Sequence, residues 1–218
     1  MRRVFLVLTA LFVVIPLRVG PRADVRVGAT ITDDGLRSFH IAIGDYYRVP
    51  EREVIVVRER RIPDDELPVV FFLASQSHQE PSVIVNMRLA GDSWVDIAWH
   101  FGVGTDVFYV PLDRDPGPPY GRAYGHFKKT KRGNWGKIRL ADADVVNLVN
   151  LRFISEHYKY SPYEVTKMRA KKSSFVRVAG DVKKAKGGKS VATKGKDSKG
   201  KDAKGKQSSK GKKGKGDR

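Results

Sequence analysis

The sequence PSVIVNMRLAGDSWVDIA at residues 81–98 returns as PYEVTKMRAKKSSFVRVA at residues 162–179, and this stretch decides the fold. Each copy starts with proline, carries Met-Arg at its seventh and eighth positions, and has serine before an aromatic residue further on. Proline suits the first turn of a helix, and serine accepts a hydrogen bond from a helix start. Each copy therefore predicts a helix–turn–helix. Because the copies lie 81 residues apart without a gap, we interpret them as a duplicated unit whose apolar faces cover each other.

The sequence around these copies also predicts short helices. Leu36, Phe39, Ile43 and Tyr47 recur at spacings of three and four residues, which places them on one helix face. Further helices are predicted over residues 51–60, from Asp64 or Asp65 through Ala74, and from Asp142 or Asp144 through Ile154. The expected fold class is all-α, with short helices in duplicated helix–turn–helix-like units over residues 33–180 and a disordered C-terminal tail.

The first 29 residues resemble an export leader. Arg2 and Arg3 precede a run of uncharged residues at 4–17, and this run is shorter than the roughly 20 apolar residues of a spanning helix. We expect a signal peptide or a short N-terminal membrane anchor, and hence a protein that is periplasmic, envelope-associated or secreted. The alternative is a buried N-terminal helix or strand.

The other end of the chain is a polycation. The formal net charge is +18, and residues 183–218 contain fourteen Lys, one Arg and three Asp. Such a segment cannot bury a core, and it is typical of disordered tails that attract polyanions in a salt-dependent way. A tail that serves only solubility is the alternative.

Between the copies, residues 102–141 form an irregular insert that is both basic and aromatic. Residues 120–139 contain no acid, and their cations alternate with Tyr120, Tyr124, Phe127 and Trp135. This pattern suits anionic polymers, since cations follow phosphates and rings stack on bases or sugars. The alternative is a basic loop whose rings pack onto the helices. The candidate polyanion-binding residues of the insert and tail are Arg122, Lys128, Lys129, Lys131, Arg132, Trp135, Lys137, Lys183, Lys184, Lys212 and Lys213.

Enzyme motifs do not stand out in the sequence. Cysteine is absent, the five histidines lack HExxH spacing, and no G-x-S-x-G motif occurs. We therefore predict no catalytic residue, cofactor or metal. The helix predicted over residues 93–101 has no Lys or Arg and one acid, which is a poor surface for reading DNA. A cytoplasmic nucleic-acid-binding helix–turn–helix protein remains the first alternative, and an enzyme with a site between the copies is the second.

The chain resembles uncharacterised exported bacterial proteins in two motifs. One is the Pro-x-x-Ile/Val-x-x-Met-Arg unit, which is followed in its first copy by Ser-Trp-x-x-Ile-Ala. The other is PPYGRAYG at residues 118–125. The resemblance covers roughly residues 42–179. These proteins have no assigned activity, so the resemblance implies a helical, exported protein and transfers no site residue. We expect a non-enzymatic envelope or extracellular protein. Its partners would be anionic envelope polymers, an anionic membrane surface or extracellular nucleic acid.

Overall fold

A computed structural model describes residues 33–194, with side chains described as far as residue 186. Within that range the chain is helical and contains no strand, so the predicted all-α class is confirmed. The α-helices are α1 (Asp33–Tyr47), α2 (Glu51–Glu59), α3 (Leu67–Ser77), α4 (Pro81–Ala90), α5 (Trp94–His100), α6 (Gly121–Lys129), α7 (Asp142–Tyr158), α8 (Pro162–Ala170) and α9 (Phe175–Lys194). Short 3-10 helices span Asp64–Glu66, Thr105–Phe108 and Arg132–Lys137.

Two apolar helices form the centre of this fold. Every residue of α3 from Leu67 to Ala74 is buried, and so are ten residues of α7. Helix α3 contacts α1, α2, α4, α5 and α7, whereas α7 contacts α1, α3, α5, α8 and α9. A helix that is apolar on all sides has to be enclosed by others, and the shorter helices supply that cover.

Residues 81–98 and 162–179 each lie in a pair of helices joined by a short turn, α4–α5 and α8–α9. Pro81 and Pro162 begin α4 and α8. Gly91 ends α4 with a φ of 104°, a conformation that residues with a side chain rarely adopt. The Ser93 hydroxyl accepts a hydrogen bond from the Asp96 N–H at 3.1 Å and caps α5. The helix–turn–helix geometry of the first copy thus follows from local residues.

An arginine occupies the same place in both helix pairs. The Arg88 guanidinium lies 4.5 Å from the centre of the Trp94 ring, and the Arg169 guanidinium lies 4.5 Å from the centre of the Phe175 ring. Each guanidinium also donates to a carbonyl in the turn that follows its helix, that of Asp92 or of Lys172. These contacts agree with a duplicated unit, although the duplication itself stays a prediction.

Carboxylates from distant parts of the chain cap both second helices. The Asp142 carboxylate accepts from the Trp94 N–H at 2.8 Å, and the Asp65 carboxylate accepts from the Phe175 N–H at 2.9 Å. Either Asp64 or Asp65 was expected to cap α3, but the start of α3 has no side-chain cap, and Asp65 serves another helix. Its carboxylate instead neutralises the start of α9, 110 residues further along the chain.

The described residues reach the predicted start of the tail but not the expected leader. Helix α9 continues to Lys194, so the predicted start of the tail at Lys183 lies inside a helix. The expected leader at residues 1–29 and residues 195–218 of the tail lie outside the described residues. No helix within the described part of the chain has the length and apolarity needed to cross a membrane.

Candidate functional site

The cations of the insert lie together at the end of α6 and along the 3-10 helix that follows it. We call Lys128, Lys129, Lys131, Arg132 and Lys137 the basic surface. All five are exposed. Within the described residues none of them forms an ion pair with a carboxylate, whereas Arg122 pairs with Asp144 at 2.9 Å and Arg139 with Asp96 at 3.0 Å. The basic surface therefore keeps its positive charges available to a ligand.

The aromatic residues of the insert point inward and hold the basic surface in place. Tyr120 and Phe127 are buried. The Trp135 ring lies 4.6 Å from the Tyr109 ring and 5.1 Å from the Phe127 ring, and its N–H donates to the Thr130 carbonyl at 3.0 Å. The rings thus pack onto the helices, which was the alternative to rings exposed for binding. Trp135, predicted as a binding residue, acts mainly as an anchor for the backbone between the cations.

A close backbone contact fixes the far end of the basic surface. The Trp99 indole N–H donates to the Gly136 carbonyl at 3.0 Å. A Cβ atom built on Gly104 would lie 3.1 Å from the Gly136 Cα, tighter than nearly all real contacts. The 3-10 helices Thr105–Phe108 and Arg132–Lys137 consequently pack together closely. Cations on such a fixed backbone lose less conformational entropy on binding than cations on a mobile loop.

Three other predicted binding residues, Arg122, Lys183 and Lys184, lie within the described part of the chain. The charge of Arg122 is already compensated by Asp144, whose carboxylate is buried. Lys183 and Lys184 are exposed on α9, where the Lys183 ammonium lies 3.4 Å from the Ser38 hydroxyl. Lys212 and Lys213 lie outside the described residues. The structure thus brings together six of the eleven candidates, the five cations of the basic surface and Trp135, all within residues 128–137.

Acids lie beside both ends of the basic surface. A cavity of about 440 Å³ between α6 and the preceding loop is lined by Lys128 together with Asp113 and Asp115. Those carboxylates weaken the local positive field near Lys128. At the other end, the Asp106 carboxylate lies beside Gly136, which directly precedes Lys137.

A second candidate site, which the sequence did not predict, lies between α1, α3 and α7. This cavity has a volume of about 720 Å³, and we call it the tyrosine–arginine pocket. Its lining is largely polar, unlike the core around it. The residues that carry polar or aromatic groups into it are Tyr46, Tyr47, Arg48, Phe72, Ser75, Gln76, Asp106, Arg152 and Glu156. They come from four separate parts of the chain, so no local spacing could have indicated them.

Hydrogen bonds order one wall of the tyrosine–arginine pocket. The Tyr46 hydroxyl donates to the Glu156 carboxylate at 2.5 Å. Burial, reinforced by that carboxylate, raises the pKa of Tyr46 above its ordinary value of 10.0. The Arg152 guanidinium donates to the carbonyls of Val107 and Tyr109 at 2.9 and 2.8 Å. These groups are positioned for binding rather than for proton transfer, because a tyrosine with so high a pKa is a weak acid at neutral pH.

No group of three or more His, Asp or Glu side chains within the described residues could hold a metal ion. His40 lies 3.1 Å from the Asp64 carboxylate, which also accepts from Arg58 at 2.9 Å. Those contacts join α1 and α2 to the segment before α3, which is a structural role.

No protein-family model, curated protein or solved structure matches the chain. The function is therefore argued from the residues of this chain alone.

Proposed function

We propose that the protein is an exported, non-enzymatic protein that binds anionic polymers through the basic surface, with the C-terminal tail adding charge. The observation that supports this most is the run of five exposed cations over residues 128–137, which lack carboxylate partners within the described residues. The packed rings of Trp135, Tyr109 and Phe127 hold the backbone between these cations in place. A fixed row of unpaired cations matches the repeating charges of a polyanion.

The helix–turn–helix pair α4–α5 is a weaker candidate for the same role. Trp94, Val95 and Ile97 are buried in the core, and the exposed Asp96 is paired with Arg139. Helix α5 has no Lys or Arg of its own. It would meet a phosphate backbone with an acid and no cation, so we place the polyanion contact on the insert.

The test replaces Lys128, Lys129, Lys131 and Lys137 by Gln in the full chain and measures binding of a labelled 20-bp DNA duplex as a model polyanion. Fluorescence anisotropy is recorded over a range of salt concentrations. Because each phosphate contact contributes about 0.9 to the slope of log affinity against log salt, the slope should fall by about 3 to 4.

A control variant has the same loss of charge at other positions. Arg52, Lys159, Lys167 and Lys171 are exposed and form no ion pair with a carboxylate within the described residues. Their replacement by Gln should change the slope by less than about 1. Equal slopes for the two variants would show that only total charge matters and would refute a role for the basic surface.

The contribution of the tail is measured with a chain that ends after Lys194. Residues 195–218 contain nine Lys, one Arg and three Asp. If the tail adds charge without providing the site, truncation should lower the affinity while the loss caused by the four Gln substitutions remains. A truncated chain that no longer binds DNA at all would place the site in the tail.

Export is tested separately from binding. The N-terminus of the mature protein and its cell fraction are determined after expression from its own leader. A chain that begins near residue 29, or one that stays with the envelope, supports export. Full-length chain in the cytosol would favour the nucleic-acid-binding alternative.

A further inference from the structure

The tyrosine–arginine pocket contains two buried donors without partners. Within the described residues, neither the Tyr47 hydroxyl nor the Arg152 Nε–H has a hydrogen-bond partner, and both atoms are shielded from solvent. Both residues line the pocket. Buried donors are almost always satisfied in folded proteins, because an unmade hydrogen bond is costly. Two such donors beside one cavity indicate that an acceptor belongs there.

The Tyr47 hydroxyl is suited to donate and not to ionise. Its ring stacks between those of Phe71 and Phe153, each 6.2 Å away, which fixes its position. Burial raises the pKa of Tyr47 well above its ordinary value of 10.0, although the positive charge of Arg152 acts in the opposite direction. The hydroxyl is therefore protonated at neutral pH and presents a hydrogen to an acceptor.

Arg152 has donors left after its structural contacts. One terminal nitrogen, Nη2, donates to the carbonyls of Val107 and Tyr109. The other, Nη1, lies 3.6 Å from the Glu156 carboxylate, longer than a good hydrogen bond. The guanidinium is held by the protein while its Nε–H stays uncommitted, as in a preorganised anion site.

The charges around the pocket favour a ligand that carries both signs. Arg48 and Arg152 are balanced by Asp106 and Glu156, so the pocket has no net charge. A phosphate dianion would face repulsion from two carboxylates, and a simple cation would face two arginines. A ligand with one carboxylate and one ammonium group satisfies both pairs. A volume of about 720 Å³ also suits a small metabolite or a short peptide end.

We propose that the tyrosine–arginine pocket binds a small zwitterion of the amino-acid class, whose carboxylate accepts from Tyr47 and Arg152 and whose ammonium group faces Asp106 and Glu156. This site lies apart from the basic surface and takes a different class of ligand. Phe72, whose ring lies 5.9 Å from the Arg152 guanidinium, gives the ligand side chain an apolar wall.

The experiment screens the full chain by thermal shift against the twenty free L-amino acids, acetate, ethylamine and inorganic phosphate, each at millimolar concentration. At least one amino acid should raise Tm, while acetate and ethylamine should have little effect because each satisfies only half of the pocket. The affinity of the best amino acid is then measured by calorimetry.

Tyr47→Phe is the deciding variant, because it removes one oxygen and keeps the stacked ring. It should weaken binding of that amino acid about tenfold or more, since hydrogen bonds to charged groups contribute strongly to affinity. Tyr160→Phe, outside the pocket lining, should bind as the wild type does. The Tm of the unliganded Tyr47→Phe variant shows directly whether it still folds.

Three results would overturn the proposal. One is that no amino acid raises Tm, which would mean that ordered water alone occupies the pocket. A second is a shift with phosphate and none with amino acids, which would assign the site to another class of anion. The third is equal affinity of Tyr47→Phe and wild type. None of these results affects the DNA-binding test of the basic surface.

Discussion

Arg88 is the most connected side chain of the described fold, and its replacement by Met is the sharpest test of how the helix pairs are held. Its guanidinium donates to both oxygens of Glu66 at 3.1 and 3.2 Å and to the Asp142 carboxylate at 2.6 Å. It also stacks on Trp94. Only 19% of the Arg88 side chain and 20% of the Glu66 side chain are exposed. Removing the cation thus leaves the Glu66 carboxylate poorly solvated without its partner, and leaves the Asp142 carboxylate, which is 35% exposed, with the Trp94 N–H.

The expected cost follows from that geometry. Breaking a fully buried ion pair from one side costs about 3–5 kcal/mol. Because these groups retain some exposure, we expect Arg88→Met to lower the free energy of unfolding by about 2–4 kcal/mol, discounted for solvent screening. For a chain of this size, that corresponds to a fall in Tm of roughly 5–15 °C. Urea unfolding followed by circular dichroism measures the first quantity, and calorimetry measures the second.

Arg169→Met is the matched control. Arg169 stacks on Phe175 in the same way, but its side-chain partner is the neutral amide of Asn147 at 3.3 Å. Because no carboxylate is hydrogen-bonded to Arg169, its replacement leaves no acid without a partner, and we expect the free energy of unfolding to fall by about 1–2 kcal/mol. Equal costs for the two variants would refute the argument that the carboxylates make Arg88 indispensable. In a double-mutant cycle, Glu66→Gln should recover about 1–2 kcal/mol in the Arg88→Met background.

Three further predictions concern single side chains. A Cβ at Gly44 would lie 2.8 Å from the Val49 carbonyl oxygen, so Gly44→Ala should lower the free energy of unfolding by about 1–3 kcal/mol in urea. A Cβ at Gly180 would meet nothing within 4 Å, so Gly180→Ala should raise it by about 0.5–1 kcal/mol. Burial raises the pKa of Asp65 above 3.8, so at a pH just above 3.8 the folded protein binds a proton at Asp65 that the unfolded chain has lost. The free energy of unfolding therefore falls as the pH rises through this interval. Unfolding measurements across the interval should show that Asp65→Asn removes this dependence. Trp135→Ala removes the ring contacts with Tyr109 and Phe127 and should lower the free energy of unfolding in urea by about 2–3 kcal/mol. It should also weaken DNA binding, even though every cation remains.

Most helices outside the insert could be predicted because their signals are local, whereas α6 lies in the segment predicted to be irregular and α9 runs past the predicted start of the tail. Pro81, Gly91 and Ser93 act within one turn of their own positions, and the helix predicted over residues 51–60 is present as α2, with Val54 and Val57 buried. The stacking of an arginine on an aromatic ring was also within reach, since Met-Arg and the following aromatic residue keep one distance in both copies. Such features depend on contacts between near neighbours in sequence.

The sites could be predicted only in part, for a physical reason. The cations of the basic surface lie close together in sequence, so their charge pattern singled them out, and the structure places them at the surface; their role in binding stays a prediction. The orientation of Trp135 depends on Tyr109, which is 26 residues away, and the sequence left both orientations open. The tyrosine–arginine pocket joins residues as distant as Tyr46 and Glu156. Its donors become significant only when burial deprives them of water, and burial is a property of the folded chain.

The exchange of caps ties the two helix pairs into one folding unit. Asp142, at the start of α7, caps α5 and pairs with Arg88, although α5 belongs to the first helix pair. Asp65, just before α3, caps α9 in the second pair. Each pair thus depends on a carboxylate from the segment that leads into the other, and the apolar helices α3 and α7 bury their faces against each other. A single helix pair would lose both the carboxylate that caps its second helix and the packing between α3 and α7. This mutual dependence explains why two short helix pairs, each too small for a core of its own, fold as one body.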